Sequence, residues 1–276
     1  ITQFLLLAFA DTRELQLLHF WLFLGIYLAA LLGNGLIFTT IACDHHLHTP
    51  MYFFLLNLSL LDLGSISTTV PKSIANSLWD NRAISYMGCV AQVFFVLFWF
   101  GAEYSLLTVM SYDRYIAICK PLHYGTLLGS RVNAMDQFFC EIPQILKLSC
   151  SDAIFREVRI LVVGVLVAFA CFVFIVVSYV QIFRAVLRIP SEQGRHKAFS
   201  TCLPHLAVVS LFVSTAMFAY LKPQSFSHPS MNLVVSFLYA VVPPAVNPLI
   251  YSMRNKDLKD AVWELITGWI YGAIKS

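Results

Sequence analysis

Between Leu15 and Cys43 the chain carries no Asp, Glu, Lys or Arg, and that one run limits the architectures open to it. A membrane helix needs about 20 largely apolar residues, and this stretch exceeds that length. The pattern then repeats. Met51 to Pro71 holds one charge, Asp62, and Ala83 to Tyr112 holds one, Glu103. Ile160 to Phe183, Ala198 to Leu221 and Pro223 to Met253 hold none. Six spans are expected, near 16–42, 51–78, 86–118, 155–187, 198–221 and 230–253. Their Gly, Pro and Ser content would count against helices in water but is ordinary in a bilayer. Composition agrees: of 276 residues, 59% are hydrophobic and only 12% charged, with a mean hydropathy of +0.74. A soluble domain of this size needs far more charge to wet its surface. The expected fold is an all-α membrane protein in a lipid bilayer, one domain over 1–276. A net charge of +3 without a basic run excludes a nucleic-acid partner. Seven scattered cysteines fit neither a disulfide scaffold nor paired metal sites. No nucleophile–base pair, phosphate loop or metal constellation points to an enzyme. The opening Ile1-Thr2-Gln3-Phe4 lacks a signal peptide's basic region, and without Met the native N-terminus is expected upstream.

Lys and Arg set the orientation. Arg114, Lys120 and Arg131 follow the third span, Arg184, Arg188, Arg195 and Lys197 follow the fourth, and Arg254, Lys256 and Lys259 follow the last. Such clusters mark the cytoplasmic side. Here the count conflicts with itself. The ends of the third and fourth spans both lie in the cytoplasm, yet one helix joins them, and two points on one side need an even number of crossings. Residues 121–153 contain no apolar stretch long enough to hide another helix. A segment about one helix long is therefore expected to be missing between Arg131 and Asn133.

Specific strings then accumulate in order. Gly33-Asn34 stands in the first span, and Leu47-His48-Thr49-Pro50-Met51-Tyr52-Phe53-Phe54-Leu55 leads into the second. Met110-Ser111-Tyr112-Asp113-Arg114-Tyr115-Ile116-Ala117-Ile118-Cys119 closes the third. Lys197-Ala198-Phe199-Ser200-Thr201-Cys202 opens the fifth, and Asn247-Pro248-Leu249-Ile250-Tyr251 lies in the last. Together they resemble the vertebrate odorant receptors of the tetrapod type, across nearly the whole chain. Phe138-Phe139-Cys140-Glu141-Ile142-Pro143-Gln144 and Phe218-Ala219-Tyr220-Leu221-Lys222-Pro223 are similar to the subgroup numbered fourteen. The resemblance implies a rhodopsin-like seven-helix bundle, here without its fourth helix, so the last three spans stand for family helices five, six and seven. A short amphipathic helix at 255–265, basic near its start, is expected on the membrane surface.

The resemblance also implies roles. Asp113 and Arg114, with Tyr115, form the resting-state switch, and a freed Arg114 meets a heterotrimeric G protein of the stimulatory olfactory type. Lys197 and Tyr251 belong to the same coupling face. Pro248 frees a carbonyl and kinks the last helix, so that Asn247, Pro248 and Tyr251 move on activation. Asp62 and Glu103 are acids inside apolar spans, where a charge is costly and marks function. The family places them near Asn34 and Asn247, where a sodium ion or protons could be shared; protonated, hydrogen-bonded acids are the plainer alternative. No other cofactor and no metal centre is expected, and the loop Cys43-Asp44-His45-His46-Leu47-His48 is read as a loop without metal.

Cys89 and Cys140 are expected, by resemblance, to form the helix-three-to-loop disulfide, while Cys150 lacks its partner. The ligand pocket implied by the family is lined by Val96, Leu97, Phe100, Gly101, Met217, Tyr220, Phe237 and Ala240. That lining is apolar with one hydroxyl, on Tyr220, and suits a small volatile odorant. An amine receptor would want an acid at Val96, and a retinal protein a Lys in the last helix; neither is present. Many relatives carry Phe-Tyr-Gly midway along the sixth helix, whereas this chain reads Phe212-Val213-Ser214. The expected activity is allosteric signalling at the plasma membrane by a multi-pass receptor. Two alternatives stand beside it: a truncated, non-signalling product retained in the endoplasmic reticulum, and a secondary transporter, which would need inverted repeats that the sequence does not show.

Overall fold

The computed structural model describes residues 3–5, 12–79, 82–120, 153–221, 241–251 and 256–275. Seven α-helices carry the described fold: α1 (Arg13–Cys43), α2 (Pro50–Trp79), α3 (Tyr86–Cys119), α4 (Ala153–Leu187), α5 (Glu192–Leu221), α6 (residues 241–251) and α7 (Lys256–Lys275). Five are long and apolar enough to cross a bilayer, α1 to α5. Lipid offers the backbone no partners, so each span must bond to itself as a helix. The hydroxyls conform to the same constraint: Thr39 Oγ1 donates to Gly35 O at 2.8 Å and Ser59 Oγ to Leu55 O at 3.0 Å, which hides polar groups along the helix surface. Pro50 begins α2, the position where a missing N–H costs nothing.

Several expectations change here. The fold is all-α in its spans as expected, with one short addition: β1 (Gln3–Leu5) pairs antiparallel with β2 (Ala83–Ser85), Phe4 opposite Ile84. Segments this short carry no readable alternation. The helix expected at 255–265 runs from Lys256 to Lys275. The last span is described only over 241–251, and the segment from which a crossing is missing lies outside the described residues.

Contacts group the chain into two compact units, where the sequence suggested one domain: Ile1–Leu106 with Leu203–Ser276, and Leu107–Cys202. α3 and α5 each contribute to both. In the first unit α1 packs mainly on α2, around Phe23, Ala30, Ile66, Val70 and Val241. Its outer end is tied by cations. Arg13 donates to the carbonyls of Leu78 (2.8 Å) and Ser77 (3.3 Å), at the end of α2 where carbonyls lack helical partners. Lys72 Nζ reaches Ala83 O at 2.8 Å. In the second unit, Tyr112 of α3 meets Phe174 of α4, and Phe183 of α4 meets Phe199 of α5.

Candidate ligand cleft and polar cluster

Three side chains from three helices meet on α6. Asp62 is fully buried, and Glu103 and Asn247 nearly so. Asn247 Nδ2 donates to Asp62 Oδ1 and Oδ2, at 3.2 and 3.1 Å, and to Glu103 Oε1 at 3.3 Å. One amide is thus shared by two carboxyls. The amide's oxygen, Asn247 Oδ1, is buried without a hydrogen-bond partner among the described residues.

Asn34 serves the kink. Pro248 has no N–H, so the carbonyl four residues back, on Pro244, loses its helical donor. Asn34 Nδ2 supplies one at 2.8 Å, while also donating to Ala30 O at 3.1 Å. Gly33 makes the approach fit: a Cβ there would stand 3.2 Å from Pro248 Cβ. A small cleft of about 180 Å³ adjoins Asn34, Asp62, Asn247 and Tyr251, and Tyr251 and Pro248 are buried.

A larger cleft, with about 360 Å³ of empty space open to the exterior, stands next to Glu103. Val96 and Phe100 form one wall, Phe212 and Thr215 another, and Ser65, Thr69, Pro243 and Pro244 complete it. Phe212 stacks on both Phe100 (centroids 4.4 Å apart) and Tyr104 (5.4 Å), rings one helical turn apart on α3. Of the pocket residues expected from the sequence, Val96 and Phe100 meet here. Leu97 and Met217 do not: they are 58% and 52% exposed, and Gly101 is exposed as well. The helical repeat explains Leu97 and Gly101, since each follows a lining residue by one position and is turned about 100° away from it. The Tyr220 side chain, Phe237 and Ala240 lie outside the described residues. The lining is also less apolar than expected. Ser65, Thr69, Thr215 and the Glu103 carboxyl face it, and α-helical Ser and Thr give no sequence signal because they usually bond to their own backbone.

A seam beside the cleft sets the spacing of α2 and α3. The Trp99 indole fits over Gly64, where a Cβ would come within 2.6 Å of the ring. Its Nε1 donates to Thr68 Oγ1 at 3.0 Å, and Gln92 Nε2 donates to Thr68 O at 3.3 Å.

In the second unit Asp113 and Arg114 are buried at the end of α3, Tyr115 is half-buried and Lys197 exposed. Cys89, expected to bond Cys140, carries a free thiol. Cys140 itself lies outside the described residues. The histidine loop folds as a single 3-10 turn, His45–Leu47. Asp44 caps it, accepting from His46 N at 2.9 Å, and that backbone N–H holds the Asp44 carboxyl below its usual range.

Residues 129–268 match the family model described as olfactory receptor, and residues 33–135 match that of the seven-transmembrane receptors of the rhodopsin family. Olfactory receptor 14A16 of Homo sapiens is 47% identical, with 97% of this chain and 96% of that protein aligned. The chain belongs to the olfactory receptors. Human olfactory receptors 14J1 and 14I1 are similar at 46% and 47% identity, each over 96% of this chain and 92% or more of their own length. The receptor is thus a multi-pass protein of the plasma membrane that signals rather than catalyses, and the transporter alternative falls. The alignment with 14A16 extends over 299 positions against 276 in this chain. That relative therefore carries residues for which this receptor has no counterpart, as the missing crossing requires.

Proposed function

We propose that this receptor takes a small, mostly apolar volatile molecule into the cleft beside Phe100 and responds through a stimulatory olfactory-type G protein. The observation that carries the reading is the continuity of the cleft with the buried cluster. Glu103 lines the cleft on one side and shares the Asn247 amide with Asp62 on the other. A ligand that fits better when α5 and α6 are displaced shifts the population towards that state. Asn247, Pro248 and Tyr251 then carry the change along α6, and Asp113, Arg114, Tyr115 and Lys197 are the groups offered to the G protein.

The cluster also suits a sodium ion in the resting state. Two carboxyls and an amide oxygen without a partner among the described residues are the hard oxygen donors such a cation takes. Asp62, Glu103 and Asn247 would hold it, and its charge would offset theirs. A purified receptor whose thermal unfolding midpoint does not respond to replacing sodium by a large organic cation lacks this site.

The activity is tested by surface labelling together with odorant-driven cAMP in cells expressing the whole chain. Surface receptor with a saturable response is expected. A specific observation supports a second reading: the residues absent relative to olfactory receptor 14A16 would yield a non-signalling product held in the endoplasmic reticulum. Intracellular retention with no response to a broad odorant panel is the outcome that selects it.

A further inference from the structure

Four residues of the second unit, Arg188-Ile189-Pro190-Ser191, join α4 to α5 on the side that the Lys and Arg clusters mark as cytoplasmic. The turn is held at its margins and open in its middle. Arg188 N–H and Ile189 N–H close the end of α4 on Ala185 O and Val186 O, each at 3.1 Å. Arg195 N–H opens α5 on Ser191 O at 3.0 Å. Pro190 has no N–H and disfavours a helical residue before it, which stops α4 from running on. Arg184, Arg188, Pro190 and Ser191 are exposed, with Ile189 half-buried among them. The Ser191 Oγ accepts from Gly194 N–H at 3.3 Å and so keeps its own hydrogen. Ser200 and Thr201 also follow a basic residue, Lys197, but they lie within α5. Each gives its hydroxyl hydrogen to Lys197 O, at 2.8 and 2.9 Å. A hydroxyl bonded to its own helix offers a modifying enzyme neither irregular chain nor an open nucleophile. Ser191 offers both.

We propose that Ser191 is a phosphorylation site for an arginine-directed serine kinase, recognised through Arg188 three residues before it. A guanidinium at that place pairs with carboxylates of the enzyme in short, charge-assisted hydrogen bonds. In the transfer, Ser191 Oγ bonds to the γ-phosphorus of ATP and the bond from that phosphorus to the β-bridging oxygen breaks. ADP leaves, and the hydroxyl proton passes to a basic group of the kinase. The product carries about two negative charges and strong acceptor oxygens. It stands at the start of α5, where negative charge is favoured. Arg195 is one turn away, and its present ion pair with Glu192 is loose, at 3.8 Å. The phosphate takes Arg195 over and fixes the turn between α4 and α5. The site needs no odorant, so failure of the odorant reading leaves it standing.

The test incubates the purified whole receptor, folded in lipid nanodiscs, with Mg-ATP and the catalytic subunit of cyclic-AMP-dependent protein kinase, an arginine-directed enzyme. Mass spectrometry of the digested chain locates the phosphate. Label is expected on Ser191, and Arg188→Ala should slow its incorporation about tenfold or more, the worth of one charge-assisted contact. Ser191→Asn keeps a side chain that caps a helix as well as serine and should accept no phosphate at this turn. Phosphorylation should raise the thermal unfolding midpoint, and Arg195→Ala should remove most of that rise. The same phosphopeptide is expected from whole receptor isolated from cells treated with a phosphatase inhibitor. Label mainly on Ser200 or Thr201, incorporation indifferent to Arg188→Ala, or labelling of the unfolded chain alone overturns the proposal. Absence of the phosphopeptide from cells does so too. A midpoint that phosphate leaves unchanged overturns the part given to Arg195.

Discussion

Asn247 has two N–H hydrogens and faces three carboxyl oxygens of two buried acids. Asn247→Ala leaves Asp62 and Glu103 without that donor. An unsatisfied buried polar group costs about 1–3 kcal/mol, so the unfolding midpoint should fall by several degrees, and surface receptor with it. Exchanging the partners, Asp62→Asn with Asn247→Asp, again sets an amide beside a carboxylate. It should recover part of the loss, and a double variant no better than the worse single one would show that Asn247 matters for another reason. Asn34→Ala acts on a different group, the Pro244 carbonyl that Pro248 leaves without a donor. Its effect should shrink when Pro248 is replaced by Ala, since the carbonyl then regains an N–H within α6; thermal midpoints of the two singles and the double measure that coupling.

The α2–α3 seam is a packing device rather than a polar one. Gly64→Ala puts a methyl 2.6 Å from the Trp99 ring, which forces the indole out and breaks its bond to Thr68. Overpacking of this kind costs about 1–3 kcal/mol, and Trp99→Leu in the same chain should return most of it, as a non-additive pair in thermal unfolding. Independent losses from the two changes would mean that the notch does not set the spacing. The spans that carry these devices were legible in advance. The run expected at 86–118 is Tyr86–Cys119, and that at 51–78 is Pro50–Trp79, because lipid allows few charges over such a length. Facing was harder to read. Val96 and Leu97 look alike as letters, yet the first lines the cleft and the second is exposed. Thr69 and Thr215 were invisible as site residues, since a threonine in a membrane helix carries no mark of whether its oxygen meets a neighbour or a cavity. The pairing of β1 with β2 joins positions too short in themselves, and too far apart in sequence, for any local pattern to join them.

At the scale of the whole molecule, the missing crossing should outweigh every point change. Inserting the corresponding segment of olfactory receptor 14A16 between Arg131 and Asn133 should raise surface receptor several-fold by live-cell labelling. It should also make Cys89 inaccessible to thiol reagents until a reductant is added, because Cys140 then reaches the same compartment; a free Cys89 in the extended chain would remove the disulfide from the scheme. The polar cluster gives this a dimension of time. Asp62 and Glu103 are separated from Asn247 by 185 and 144 residues, and α6 is made near the end of synthesis. For most of translation both acids wait in the bilayer without the amide they will share. The three side chains of the cluster can therefore come together only after almost the whole chain has been made.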